Sequence, residues 1–203
     1  MIKDFASALR PSLAMTGLFA VVLCGLYPAL ITGVAQAAFP QAANGSLIER
    51  DGHVVGSALL GQGFASDRYF HGRPSAAGAN GYDPTASSGS NLGPASQVLH
   101  DRIVKDLGAA KTSPRSSSPG SVPPDLVTAS ASGLDPHISP EAALFQIDRV
   151  AQARGIDPAR VPLLVDAQVE KPLAGFLGEP RVNVLALNLA LDAATAKGAS
   201  SSQ

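Results

Sequence analysis

Asp135-Pro136-His137 sets a carboxylate two residues from an imidazole, the residue types of an acid–base pair. The same tripeptide also reads as a turn leading into Ser139, and that reading is the expected one. Arg73-Pro74-Ser75, beside Tyr69-Phe70, could offer a guanidinium to a small anion or a partner peptide; a loop pinned to its own domain by the aromatics is the expected reading. Gly89-Ser90-Asn91-Leu92-Gly93 stands where a helix is expected to open, so its N–H groups could cradle a phosphate, but it lacks a lysine. His53, His71, His100 and His137 have no second His or Cys at ligand spacing, so no metal site is expected. The single Cys24 excludes a disulfide framework and a cysteine-based cluster. No phosphate-binding GxxxxGK[ST], GxGxxG after a strand, HExxH or GxSxG is present.

The elements that must position these residues follow from pattern. Ser46–Arg50 and His53–Leu60 flank Asp51-Gly52, a strong hairpin signal. Residues 61–94 form a long Gly-, Ser-, Asn- and Pro-rich loop carrying Phe64, Tyr69, Phe70 and Tyr82. Leu92–Leu107 reads as a helix with Pro94 in its first turn, and residues 109–124 as a low-complexity linker. Asp125–Ala131 reads as a short strand. Ser139 caps a helix that Gly155 ends. Asp157-Pro158 opens a helix over 158–168, and Glu179-Pro180 a last helix over 181–196.

Lys+Arg total 15 against 16 Asp+Glu, so no basic footprint for nucleic acid exists. Pro11–Ile48 contains no charged residue and no His, and its apolar run is long enough to cross a bilayer. Pro28 inside it should kink the helix. A cleaved signal peptide ending near Ala35-Gln36-Ala37 is the competing reading, although the run exceeds a usual signal core. Lys3 and Arg10 precede the run, which places the following residues outside on either reading. Gly25, Ala29 and Gly33 lie four apart and would form a small-residue ridge against a partner helix. The expected fold is α+β: one N-terminal transmembrane helix followed by a single mixed α/β extracytoplasmic domain. Its parts are a cytoplasmic N-terminus at 1–11, the span at 12–35 and the domain at 40–203.

Several runs then occur in a fixed order. They are Asn44–Ile48 (NGSLI), Gly56–Gln62 (GSALLGQ), Tyr69–Ala76 (YFHGRPSA), Gly89–Leu92 (GSNL), Asp125–Asp135 (DLVTASASGLD) and Asn188–Asp192 (NLALD). With one N-terminal span, the chain resembles the C subunit of the bacterial Kdp high-affinity potassium-transporting ATPase, the KdpC family, over residues 9–192. The resemblance implies a non-catalytic accessory subunit at the bacterial inner membrane. Its partners would be a channel-like potassium-translocating subunit, a P-type ATPase subunit and a small stabilising membrane subunit. It also implies a catalytic chaperone that raises the ATP affinity of the ATPase subunit, with ATP bound only in the complex and a glutamine involved. Gln62 and Gln146 are the candidates for that glutamine. An ATP role conflicts with the charge pattern, because ATP is cytoplasmic and residues 40–203 lie outside. Topology is favoured over direct nucleotide contact. An anchored or secreted periplasmic binding protein unrelated to ATP is the alternative. The contact candidates are Gly25, Ala29 and Gly33 in the span, and Tyr69, Phe70 and Arg73 in the loop.

Overall fold

Pro28 shapes the N-terminal helix, because it has no N–H to give and its ring crowds the carbonyl four residues back. The computed structural model describes residues 2–112 and 121–200, with side chains for 7–112 and 121–195. It divides into Met1–Leu47 and Ile48–Gln203. In the first unit, α1 (Ile2–Phe19) runs into a π-helical stretch (Ala20–Leu26) and then α2 (Tyr27–Ala38). Tyr27 N–H reaches back five residues to the Val22 carbonyl. The helix thus takes up Pro28 by widening one turn upstream, a recognised way to absorb a lost i−4 bond. The apolar portion, Ser7–Ala38, has 32 residues and none of it is buried. At 1.5 Å per residue that is about 48 Å of helix, against a hydrocarbon core of about 30 Å. The helix therefore extends past the expected 12–35 at both ends. A short α3 (Pro40–Ala43) follows, and the Gln36 and Asn44 carboxamides pair at 3.2 Å over it.

The second unit opens with the expected hairpin, β1 (Leu47–Arg50) and β2 (His53–Ser57). Asp51 and Gly52 both have positive φ, 52° and 77°, as a tight two-residue hairpin turn requires. The strand ends at Ser57 rather than Leu60. Residues 61–94 cross the domain without regular structure. Helix α4 covers Gln97–Thr112, not Leu92–Leu107. The reason is local: Pro94 disfavours helix at Gly93, and Ser96 caps instead, its Oγ accepting from Leu99 N at 3.4 Å. The expected linker at 109–124 is therefore helical up to Thr112, and its residues 113–120 lie outside the described residues.

Asp125–Ala131 is not a strand. A 3₁₀ turn occupies Pro124–Leu126, with Val127 N and Thr128 Oγ1 both donating to the Pro124 carbonyl. Next, β3 (His137–Ile138) leads to Ser139, which caps α5 (Pro140–Phe145) by accepting from Ala142 N at 3.1 Å. The expected helix breaks at Gln146 and resumes as α6 (Ile147–Arg154), ended by left-handed Gly155. Asp157 caps a 3₁₀ turn, Pro158–Arg160, that runs into α7 (Val161–Ala167). Then come β4 (Val169–Glu170), β5 (Arg181–Asn183) and α8 (Val184–Ser200). The expected last helix thus begins three residues late. Arg181–Asn183 is the central strand of an antiparallel sheet ordered β3-β5-β4, with Val182 opposite both Ile138 and Val169. Asn183, not Glu179, supplies the cap: its Oδ1 accepts from Ala186 N at 3.1 Å.

Val182 is fully buried, and α5, α6, α7 and α8 pack around it through Ala142, Ile147, Val150, Val165, Leu187 and Leu191. Phe70 is the one aromatic ring in this buried cluster. With small side chains in the core, close backbone approach replaces bulk. Gly133 illustrates it: at φ +67°, an added Cβ would lie 2.7 Å from Ser88 O and 2.8 Å from Ala77 Cβ. Gly133→Ala should therefore cost about 2 kcal/mol or more, from left-handed strain plus a clash that the buried Ala77 cannot relieve. Thermal unfolding of the full chain in detergent should show a fall of several degrees.

Candidate functional site

Residues 61–94 must cross the domain with their backbone groups paired, and no strand lies alongside them. Two side-chain amides do the pairing. Asn188, on α8, accepts from Phe70 N at 2.8 Å and donates to Phe70 O at 3.0 Å. Gln146, at the break between α5 and α6, accepts from His71 N at 2.8 Å and donates to His71 O at 3.1 Å. Successive residues of an extended segment point their N–H and C=O to opposite sides, so one amide grips each edge of the strap. Both amides are buried.

Arginines hold the flanks. Arg149 is buried and donates to Asp67 O at 2.8 Å, Tyr69 O at 3.0 Å and Gln146 Oε1 at 2.7 Å. Burial pulls its pKa down, yet a guanidinium stays charged at any physiological pH. Arg154 lies over the Tyr69 ring at 4.8 Å and pairs with Asp192 at 2.8 Å. Arg50 reaches the same carboxylate at 3.0 Å. His71 Nε2 sits 3.1 Å from Ser66 O and 3.4 Å from Arg149 Nη1. Burial first, and then the Arg149 charge, push the His71 pKa below its usual value.

Downstream, Tyr82 Oη donates to Arg73 O at 2.5 Å, and Ser75 Oγ donates to Gly133 O at 2.6 Å. Arg73 is half-buried, 3.4 Å from Asp135 and 3.3 Å from Thr128 Oγ1; its Nε is buried without a partner among the described residues. Asp135 also accepts from His137 N at 3.0 Å. That hydrogen-bonded turn, chiefly the His137 side chain and then Arg73, holds the Asp135 carboxyl below the usual range.

A cleft of about 430 Å³ opens against this strap, lined among others by Asp67, His71, Arg73, Asp106, Gln146 and Arg149. Among the described residues, its lining includes no Ser, Thr, Cys or Lys. Among the described residues, no three His, Cys, Asp or Glu gather as a metal site.

The expected site residues now have places. Tyr69, Phe70, Arg73 and Gln146 all meet at the strap. Phe70 is wholly buried, so its ring anchors the loop and offers nothing to a partner. Arg73 is half-buried and paired with Asp135, not a free surface cation. Gln146 commits its oxygen and nitrogen to His71, Arg149 and Ala142. Gln62 donates to Val55 O at 3.2 Å, behind the hairpin. Gly25, Ala29 and Gly33 are exposed on the N-terminal helix. Asn188, Arg149, Arg154 and Asp192 were not singled out for chemistry from the sequence. The available signal was Asn188 in the apolar run VLALNLAL, since a polar residue there must find partners when buried.

Replacing either amide strands two backbone groups. Asn188→Leu and Gln146→Leu should each cost about 2–4 kcal/mol, read by denaturant unfolding, with new proteolytic cleavage inside 61–94. The His71 shift carries a pH dependence. Its folded pKa lies below the unfolded one, so the unfolded chain takes the proton first and stability falls as pH drops below about 6.5. Unfolding temperatures between pH 7.5 and 5.5 should show this loss, and His71→Asn should flatten it.

The family described as KdpC, K+-transporting ATPase, c chain, matches residues 9–193. A Caulobacter vibrioides (strain NA1000 / CB15N) protein named Potassium-transporting ATPase KdpC subunit is 60% identical over 189 residues, covering 92% of this chain and 93% of its own. Proteins of the same name from Rhodopseudomonas palustris (strain BisB5) and Gemmatimonas aurantiaca are 55% and 56% identical. The first covers 97% of this chain and 100% of itself; the second covers 93% and 94%. The match spans the strap and the Asn188 and Gln146 amides that clamp it, and the chain belongs to the KdpC family of potassium-transporting ATPase subunits.

Proposed function

We propose that this subunit has no chemistry of its own and works by contact within the potassium-transporting ATPase. The observation that carries the reading is the use made of its buried polar groups. Asn188, Gln146, Arg149 and Arg154 commit their hydrogen bonds inside the domain: to the strap, to Asp192, from Arg149 to Gln146, from Gln146 to Ala142 O and from Arg154 to Thr195 Oγ1. Side chains so engaged position a surface; they do not wait for a reacting group.

On this reading the long apolar helix anchors the chain in the bacterial inner membrane, and residues 40–203 stand outside. Support comes from Lys3 and Arg10, which lie in the first turns of the helix ahead of its uncharged run, and from the absence of charge between Pro11 and Ile48. A Cβ built on Gly25 or Gly33 meets nothing within 4 Å, so the ridge with Ala29 leaves room for a helix of another subunit. The partners are the channel-like subunit, the P-type ATPase subunit and the small stabilising subunit. The chain aids assembly and, as a catalytic chaperone, raises ATP affinity of the ATPase subunit through subunit contact. ATP itself stays on the other side of the bilayer.

One labelling experiment tests the arrangement. Glu179→Cys, in a Cys24→Ser background, puts one thiol at an exposed position of the domain. A membrane-impermeant maleimide should label it in intact cells, and the labelled chain should stay with the membrane after an alkaline wash. Labelling only after lysis would place the domain in the cytoplasm, and a labelled soluble chain would mean release near Ala37.

A further inference from the structure

Between β4 and β5 the chain makes a tight apolar turn, Leu173-Ala174-Gly175-Phe176-Leu177. Leu173 is 72% exposed, Phe176 81% and Leu177 61%, and Phe176 is the most exposed large apolar residue among those described. Solvent exposure of three large apolar side chains within five residues has a cost unless something covers them.

The turn is built rather than loose. Leu173 N donates to Leu177 O at 3.1 Å and Leu177 N to Leu173 O at 3.0 Å, while Gly175 N donates to Pro172 O at 3.0 Å. Ala174 and Gly175 take positive φ, 54° and 81°, to make the reversal. Its backbone groups are thus largely paired within the turn, so the tip can enter a non-polar site without stranding them. The turn stands between β4 and β5, the central strand, whose Val182 is fully buried. An aromatic and aliphatic cluster shaped by its own hydrogen bonds is a form that binding hot spots take.

Charge decides between the occupants. Around the turn, Arg181 pairs with Glu170 at 2.9 Å, and Lys171 is balanced by Glu179. A neck with no net charge has no attraction for an anionic bilayer surface, which polybasic segments need. It suits an apolar protein socket.

We infer that Leu173, Phe176 and Leu177 form a plug that docks into an apolar socket on the extracytoplasmic face of another subunit of the potassium-transporting ATPase. This rests on the outward orientation proposed above. In the whole complex, Phe176→Asp should lower recovery of the partner subunits with this chain by about tenfold or more. The thermal unfolding of the chain should not move, because the side chain is exposed. Leu163→Asp, at a 72% exposed position on α7, should leave recovery unchanged. Undiminished recovery with folded Phe176→Asp overturns the plug, as does an equal loss from Leu163→Asp. The chain has no Trp, so Phe176→Trp in the chain alone reports its surroundings. Quenching of that Trp by brominated lipid in nanodiscs would make the bilayer the occupant and overturn the proposal; unquenched, water-exposed emission is expected. A disulfide between two copies through Phe176→Cys in the complex would name a second copy instead and also overturn it. Labelling of Glu179→Cys only from the cytoplasmic side would remove the orientation beneath the plug. Outside labelling with undiminished recovery would remove the plug and leave the orientation standing.

Discussion

A backbone segment that crosses a domain without a neighbouring strand still carries a donor and an acceptor at each residue, and leaving them unpaired in the interior costs about 1–3 kcal/mol apiece. Here Asn188 and Gln146 stand in for the missing strands, one on each edge of Phe70-His71. Much of the second unit depends on that substitution. It seats Phe70 in the core, holds Tyr69 under Arg154, and places Arg149 where three acceptors converge. The break between α5 and α6 belongs to the same arrangement, because Gln146 sits at the break and its carboxamide enters the clamp.

The small core makes such pinning necessary. Ala142, Ala143 and Ala151 occupy buried positions where larger side chains would contribute more burial energy. Compensation comes from close approaches, such as Gly133 against Ala77, and from polar ties between segments far apart in sequence. Two exposed apolar features, the N-terminal helix and the turn at 173–177, stand apart from this pattern. Neither is buried among the described residues, and both belong to a protein that is one subunit of several.

Local signals were legible in the sequence where local chemistry decides. Asp51-Gly52 made the hairpin, Ser139-Pro140 began a helix and Gly155 ended one. Pattern failed where long-range pairing or a better neighbour decided. Glu179-Pro180 looks like a helix start, yet Arg181–Asn183 has strands on both sides and becomes the third. Pro94 looks like a first-turn proline, yet Ser96 offers the better cap. The clamp itself left a single trace, one polar residue in the apolar run of α8. Its partners are 118 and 75 positions apart, and nothing in local spacing joins them. Phe70 was legible as an anchor of its loop but not as the residue Asn188 grips, and Arg73 as a binding type but not as the partner of Asp135, since both depend on segments distant in sequence.

The separation of those partners has a consequence for how the domain comes into being. The chain is made from its N-terminus, so Phe70 emerges 118 residues before the Asn188 that will pair with it. Until Gln146 is made the strap has neither amide to join, and until α8 is made its Phe70 edge stays open. The clamp therefore closes in two steps, Gln146 before Asn188, and its completion waits for α8.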